Sequence, residues 1–149
     1  MKIKGERTFD APRERVWEIL LDPDIIAKCI PGCQRLEAVD ADTFEATLKI
    51  GVGAVSGTYD GTLRIRERVV PSRYAMSFEG TGRGGFVRGT GAADLREENG
   101  VTVVVYDCDV EVGGLIASVG QRVLEGVSGF LVGQMFSKLQ VYAVQEAAP

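Results

Sequence analysis

Histidine is missing altogether from these 149 residues. Its absence removes imidazole acid–base chemistry, Ser-His-Asp and Cys-His nucleophile activation, and most catalytic zinc sites. Cysteine is scarce. Cys29, Cys33 and Cys108 are an odd number, which argues against a disulfide framework. No stretch approaches the roughly 18 consecutive apolar residues of a membrane-spanning helix. The opening Met1-Lys2-Ile3-Lys4-Gly5 lacks the apolar segment of a secretory signal. A basic excess is also lacking: the net charge is −4, whereas a nucleic-acid binder needs cations to meet phosphates. The one local run, Arg64-Ile65-Arg66-Glu67-Arg68, alternates as a solvated strand face would. The expectation is a soluble cytoplasmic protein without a nucleic-acid partner and without histidine-based catalysis.

What is present is a long β region between helices. Ile3 to Phe9 reads as a strand with Ile3, Gly5, Arg7 and Phe9 on one face. Asp10 then stands ready to cap a helix that opens Ala11-Pro12 and carries Val16, Trp17, Ile19, Leu20 and Leu21. Asp22-Pro23 ends it and caps a short second helix over 24–28, which Pro31-Gly32 stops. About six antiparallel strands follow from Cys33 to Val112, with a hairpin signal at Glu98-Asn99-Gly100. The pattern then predicts one helix from Leu115 to about Val144, with Leu115, Val119, Val123, Val127, Phe130, Leu131, Gln134 and Met135 as its main apolar stripe. Residues 145–149 read as a tail. The fold class is α+β: a curved antiparallel sheet, one face of which the last helix is long enough to cover.

Glycine is abundant, at 19 residues, and many lie inside elements: Gly57, Gly61, Gly89 and Gly91 in strands, Gly120, Gly126, Gly129 and Gly133 in the last helix. Each helix-interior glycine costs about 1 kcal/mol relative to alanine. Two explanations compete. Missing side chains allow sheet curvature and close helix approach, or they leave room inside for a ligand.

In its order of elements and local motifs the chain resembles the CoxG family, named for the G subunit of carbon monoxide dehydrogenase, within the START/Bet v 1-like superfamily. The matching pieces are Ala11-Pro12-Arg13-Glu14-Arg15-Val16-Trp17; Asp22-Pro23 followed by Cys29-Ile30-Pro31-Gly32-Cys33; Gly57-Thr58-Tyr59-Asp60-Gly61; Gly84-Gly85-Phe86-Val87-Arg88-Gly89; and Val112-Gly113-Gly114-Leu115-Ile116-Ala117 through Gly120-Gln121-Arg122. The resemblance covers roughly residues 1–140. It implies a helix-grip domain over residues 1–144 with an apolar cavity between sheet and long helix. It also implies a non-enzymatic accessory role beside a molybdenum-containing CO dehydrogenase-type enzyme, with binding of a respiratory quinone and contact with the membrane. Family members often carry a C-terminal extension for membrane attachment. This chain ends at Pro149 without one, so the expectation is transient, peripheral contact at the inner face of the membrane, or a tail that has been removed.

Candidate site residues follow. Tyr59, Tyr74 and Tyr106 alternate with polar residues and point inward; a buried phenol is either satisfied by backbone or donates to a ligand carbonyl. Tyr59, between Gly57 and Gly61, is the first choice. Leu63, Met76, Phe78, Phe86, Val104, Val110, Val123, Val127 and Phe130 form the wall, as packed core or as cavity lining. Cys29, Pro31 and Cys33 fall at the cavity mouth, with small buried hydrophobe as the alternative for the thiols. Arg83 and Arg88 are solvated, or meet anionic lipid or a protein partner. Asp107, Asp109 and Glu111 belong to a solvated outer face. No covalently bound cofactor and no metal is expected; menaquinone or ubiquinone is the bound ligand that the resemblance implies. Two other functions stay open: a cyclase or hydrolase with Tyr59 or a buried carboxylate as acid/base, and a ligand-free assembly factor for the dehydrogenase.

Overall fold

The computed structural model describes residues 1–51 and 53–145, so most of the expected tail lies outside the described residues. The elements run β1 (Lys2–Phe9), α1 (Arg13–Leu20), α2 (Pro23–Cys29), β2 (Cys33–Ala38), β3 (Thr43–Ile50), β4 (Gly57–Val69), β5 (Arg73–Gly82), β6 (Gly85–Glu98), β7 (Val101–Gly113) and α3 (Gln121–Val144). Short 3₁₀ turns at Gly53–Val55 and Leu115–Val119 precede β4 and α3. The seven strands make one antiparallel sheet in the order β1-β7-β6-β5-β4-β3-β2. Consecutive hairpins build β2 to β7, and β1 closes onto β7. Helices α1 and α2 therefore carry the chain from one edge strand to the other, while α3 packs against α2, α1 and β1. This is the expected helix-grip arrangement.

The local chemistry explains the boundaries. Asp22 caps α2, its Oδ1 accepting from the N–H of Asp24 at 2.9 Å and of Ile25 at 3.4 Å. At α1 the expected cap by Asp10 is not made. Pro12 holds the N-cap position, and the Arg13 N–H instead donates to Glu97 Oε1 at 2.6 Å. The last helix also starts later than the pattern predicts, at Gln121 rather than Leu115. Gly120, at φ 94°, sits in backbone that side-chain-bearing residues avoid, and it separates the 3₁₀ turn from the helix.

The packed core lies at one end of the molecule. Phe9, Val16, Ile19, Leu95, Val104, Leu139 and Ala143 are essentially inaccessible, and Phe136 joins them. Thr102, fully buried, satisfies its hydroxyl on the carbonyl of Ala11 at 2.8 Å. On the outer face, charges pair across strands in water: Lys2 with Asp107 and Asp109, Arg88 with Glu111, and Arg73 with Glu67 and Asp94. Such exposed pairs add little stability. They mark the side of the sheet that needs no cover.

Candidate ligand-binding site

The inner face can be read along the register. One row crosses the sheet as Phe44, Leu63, Phe78, Gly89, Val110; the next as Ile65, Met76, Gly91, Cys108, Ile3; the next as Tyr74, Ala93, Tyr106, Gly5. Large side chains alternate with glycines on neighbouring strands, and the large ones lean over the small. A Cβ on Gly89 would meet the ring of Phe78 and the carbonyl of Asp109; on Gly91 it would meet the thiol of Cys108, and on Gly5 the phenol of Tyr106. The strand glycines are therefore filled by their neighbours and by close backbone approach. They answer to curvature and packing rather than to empty space.

The last helix is seated unevenly. Between residues 121 and 135 it has no buried residue, whereas Phe136, Leu139 and Ala143 are all buried. Even Leu124, Ser128, Leu131 and Val132, which helical spacing places on or beside the line of Leu139, are only half-buried. No neighbour approaches within 4 Å of where a Cβ would stand at Gly126 or Gly129, and at Gly133 only Arg7 comes within 3.9 Å, so close packing does not explain these glycines. The helix is clamped at its C-terminal end and stands off the sheet at its N-terminal end. Beneath the raised part, Leu63, Met76 and Phe78 are only half-buried although they sit on the inner face. The Tyr74, Tyr106 and Phe136 rings lie below them, towards the core.

The raised end is roofed by three loops. The Tyr59 hydroxyl donates to the carbonyl of Val55 at 2.8 Å, joining the turn before β4 to that strand. The Ile116 N–H donates to the carbonyl of Gly84 at 2.8 Å, joining the turn before α3 to the β5–β6 hairpin. Val55 and Ile116 are buried. Tyr59, the first choice for contact with a polar ligand group, thus spends its donor on the backbone.

The two other inward tyrosines have no hydrogen-bond partner among the described residues. Tyr74 is buried, edge-on to Trp17 at 5.7 Å, and burial pushes its pKa up to about 12. Tyr106 stacks on Phe136 at 5.3 Å and 19°. Arg7 places its guanidinium over the same Phe136 ring at 5.8 Å.

Several predicted positions move. Phe86 is not part of the wall. It shares the outer face with Arg88, whose guanidinium lies 5.1 Å from its ring, and it folds over Gly113. Arg88 two residues on, charged and paired with Glu111, carried that signal in the sequence. Val123 and Phe130 are 44% and 52% exposed, on the face of α3 opposite Leu139. They belong to a stripe that continues through Val141 and Val144 and points away from the sheet, while Val127 is half-buried. The residues of α3 that pack inward are instead Val132, Met135, Phe136, Leu139, Tyr142 and Ala143. Cys29 is fully buried in the core rather than at a mouth. Cys33 is half-buried at the start of β2, and its thiol reaches the carbonyl of Arg35. Pro31, half-buried, precedes Gly32, whose φ of 78° makes the bend and whose carbonyl accepts from the Lys49 N–H at 2.8 Å. Val104 and Val110 are buried, Val104 within the core. Burial raises the pKa of all three thiols, which keeps them protonated and poorly nucleophilic at neutral pH. Among the described residues, no three metal-ligating side chains converge.

The sequence matches the family model for the G subunit of carbon monoxide dehydrogenase (CoxG) over residues 5–144. The chain belongs to the CoxG family. A conserved protein from Geobacillus kaustophilus is 36% identical with a TM-score of 0.94, the alignment covering 97% of this chain and 96% of that one. A START superfamily protein from Mycobacterium smegmatis aligns with a TM-score of 0.73 at 12% identity, over 97% of both chains. The protein Ara h 8.0201 aligns at 0.71 and 16%, over 98% of this chain and 99% of that one. These two distant likenesses establish the START/Bet v 1-like fold for this CoxG-family chain, and the fold alone. No match was found among proteins of curated function. Among the described residues, no helix is long and apolar enough to cross a membrane.

Proposed function

We propose that this CoxG-family protein holds an isoprenoid quinone, menaquinone or ubiquinone, beneath the raised half of α3 and presents it to a molybdenum CO dehydrogenase-type oxidase. The exchange takes place at the inner face of the membrane, which the protein touches peripherally. One observation carries the reading: the apolar inner wall of Leu63, Met76 and Phe78 is left half-uncovered by a helix that is seated only at its other end. An aliphatic chain laid there removes apolar surface from water at about 25 cal/mol per Å² on both partners. Ordering costs consume part of that gain.

The alternatives have less behind them. The carboxylate at an inner-parity position of β4 to β7, Glu97, lies at the exposed end of β6 and accepts the Arg13 N–H at the start of α1. A hydrolase or cyclase would thus have no buried carboxylate among the inner-face rows to replace the missing histidine. A docking-only role has one observation in its favour, the exposed stripe Val123, Phe130, Val141 and Val144 on the outside of α3. Titration with decyl-chain quinone analogues, read by tryptophan quenching and by native mass spectrometry, separates these readings. A one-to-one complex with Kd in the micromolar range, about −8 kcal/mol, is expected. Failure of the purified protein to bind any such analogue, with a stable complex to the oxidase intact, would select the docking-only role.

A further inference from the structure

Between β1 and α3 a cleft of about 310 Å³ is lined by Arg7, Thr8, Phe9, Phe136, Ser137 and Gln140. Its polar equipment is unusual for this face of the protein. Arg7 holds an inward position on the edge strand, yet among the described residues it has no carboxylate partner and no hydrogen bond, only the ring of Phe136 beneath it. Gln140 Oε1 is buried without a partner, while its amide nitrogen reaches the carbonyl of Thr8 at 3.4 Å. A buried acceptor left unpaired is costly, and native proteins rarely tolerate one without a reason. The cleft also adjoins the interior. Phe136 contacts both Arg7 and Tyr106, and Gly133 stands beside Arg7 with no side chain to fill the approach.

We infer that this cleft seats the polar head of the bound quinone, with Arg7 as its recognition residue. The inference rests on the function proposed above and places the head at the β1–α3 edge instead of at Tyr59. The chemistry fits both states of such a head. An oxidised quinone offers only acceptor oxygens, which a guanidinium fork matches. A hydroquinone offers O–H donors, which the unpaired Gln140 Oε1 accepts once the side chain turns its buried oxygen into the cleft. The flat ring meets a site already built from a guanidinium and two stacked aromatic rings. A head held there remains reachable from solvent while its chain lies under α3, as delivery to another protein requires.

The test compares three probes on the wild type, Arg7→Leu and Gln140→Leu: a decyl quinone, its hydroquinone under reducing conditions, and an alkyl fluorophore without a quinone ring. Arg7 is exposed, so its replacement leaves the fold intact, which a thermal melt checks. Arg7→Leu is expected to weaken the quinone about tenfold or more, in line with a lost charge-assisted hydrogen bond, and to leave the headless probe unchanged. Gln140→Leu is expected to weaken the hydroquinone more than the quinone. Quinone affinity unchanged in Arg7→Leu, or a parallel loss for the headless probe, overturns the assignment of the head. If the wild type binds neither the quinones nor the headless probe, the proposed cavity function fails and this inference falls with it.

Discussion

The two ends of α3 do opposite things. Its last turns bury Phe136, Leu139 and Ala143 against Phe9, Val16, Ile19 and Leu95, in a core reinforced by the Trp17–Tyr74 and Phe9–Phe136 ring contacts. Its first four turns bury nothing and are punctuated by Gly126, Gly129 and Gly133. One helix is thus anchored at one end and raised at the other, and the two regimes meet between Val132 and Met135. Dense packing at one end supplies the stability that the other end forgoes, so space for a ligand need not compromise the domain. Truncations at the two ends must therefore differ. Leu139→Ala is expected to cost about 3 kcal/mol, the usual loss for a fully buried leucine, and Leu124→Ala under about 1 kcal/mol. Urea unfolding at neutral pH measures both. Equal losses would mean that the helix is seated along its whole length.

The second test probes the dry end through a proton. Burial holds the Tyr74 phenol at a pKa of about 12, against an ordinary value of 10. The folded protein therefore keeps a proton that the unfolded chain surrenders. Stability from this group is complete below pH 10 and declines as the pH rises from about 10 to about 12. A two-unit difference corresponds to about 2–3 kcal/mol. Tyr74→Phe is expected to remove that portion of the alkaline decline, seen as a shallower fall of the urea midpoint above pH 10 than in the wild type. Identical pH profiles would indicate that water reaches the Tyr74 pocket and that the packed end is wetter than its contacts imply.

Much of this was legible in the residues. Strand alternation placed Tyr59, Leu63, Met76, Phe78, Tyr106 and Val110 on the inner face, because a strand with one wet side writes its period plainly. The order of elements and the Asp22 cap were also readable. The face of α3 was not. Val123, Val127 and Phe130 repeat at helical spacing as well as Val132, Met135, Phe136 and Leu139 do, so periodicity finds two apolar sides and cannot rank them. Which of its two readings Tyr59 takes, backbone-satisfied or free for a ligand, was not legible for a different reason. Whether a phenol finds a backbone carbonyl depends on a loop conformation, here the turn that brings the Val55 carbonyl within 2.8 Å, and no spacing rule encodes it. The Arg7 cleft lay half in view: its parity with Ile3, Gly5 and Phe9 set it inward, but only the folded chain brings Gln140 beside it.

The smallest effect on stability is also the one that separates the raised end from the anchored end most directly. Ser128 lies in the raised part of α3, about three turns before Leu139 and so close to the same inward line. In a helix seated throughout, a leucine there would be forced into packed neighbours, and overpacking of that kind costs about 1–3 kcal/mol. Under a raised end it enters open space above Leu63, Met76 and Phe78, and it also improves helix propensity. Ser128→Leu is therefore expected to change the stability of the ligand-free protein by less than about 1 kcal/mol, in the stabilising direction, raising its urea midpoint slightly. The same side chain occupies the path assigned to the aliphatic tail, so the variant is expected to bind a decyl quinone more weakly than the wild type. Unchanged affinity would move the tail's path away from the underside of the helix. A marked loss of stability would overturn the raised end itself.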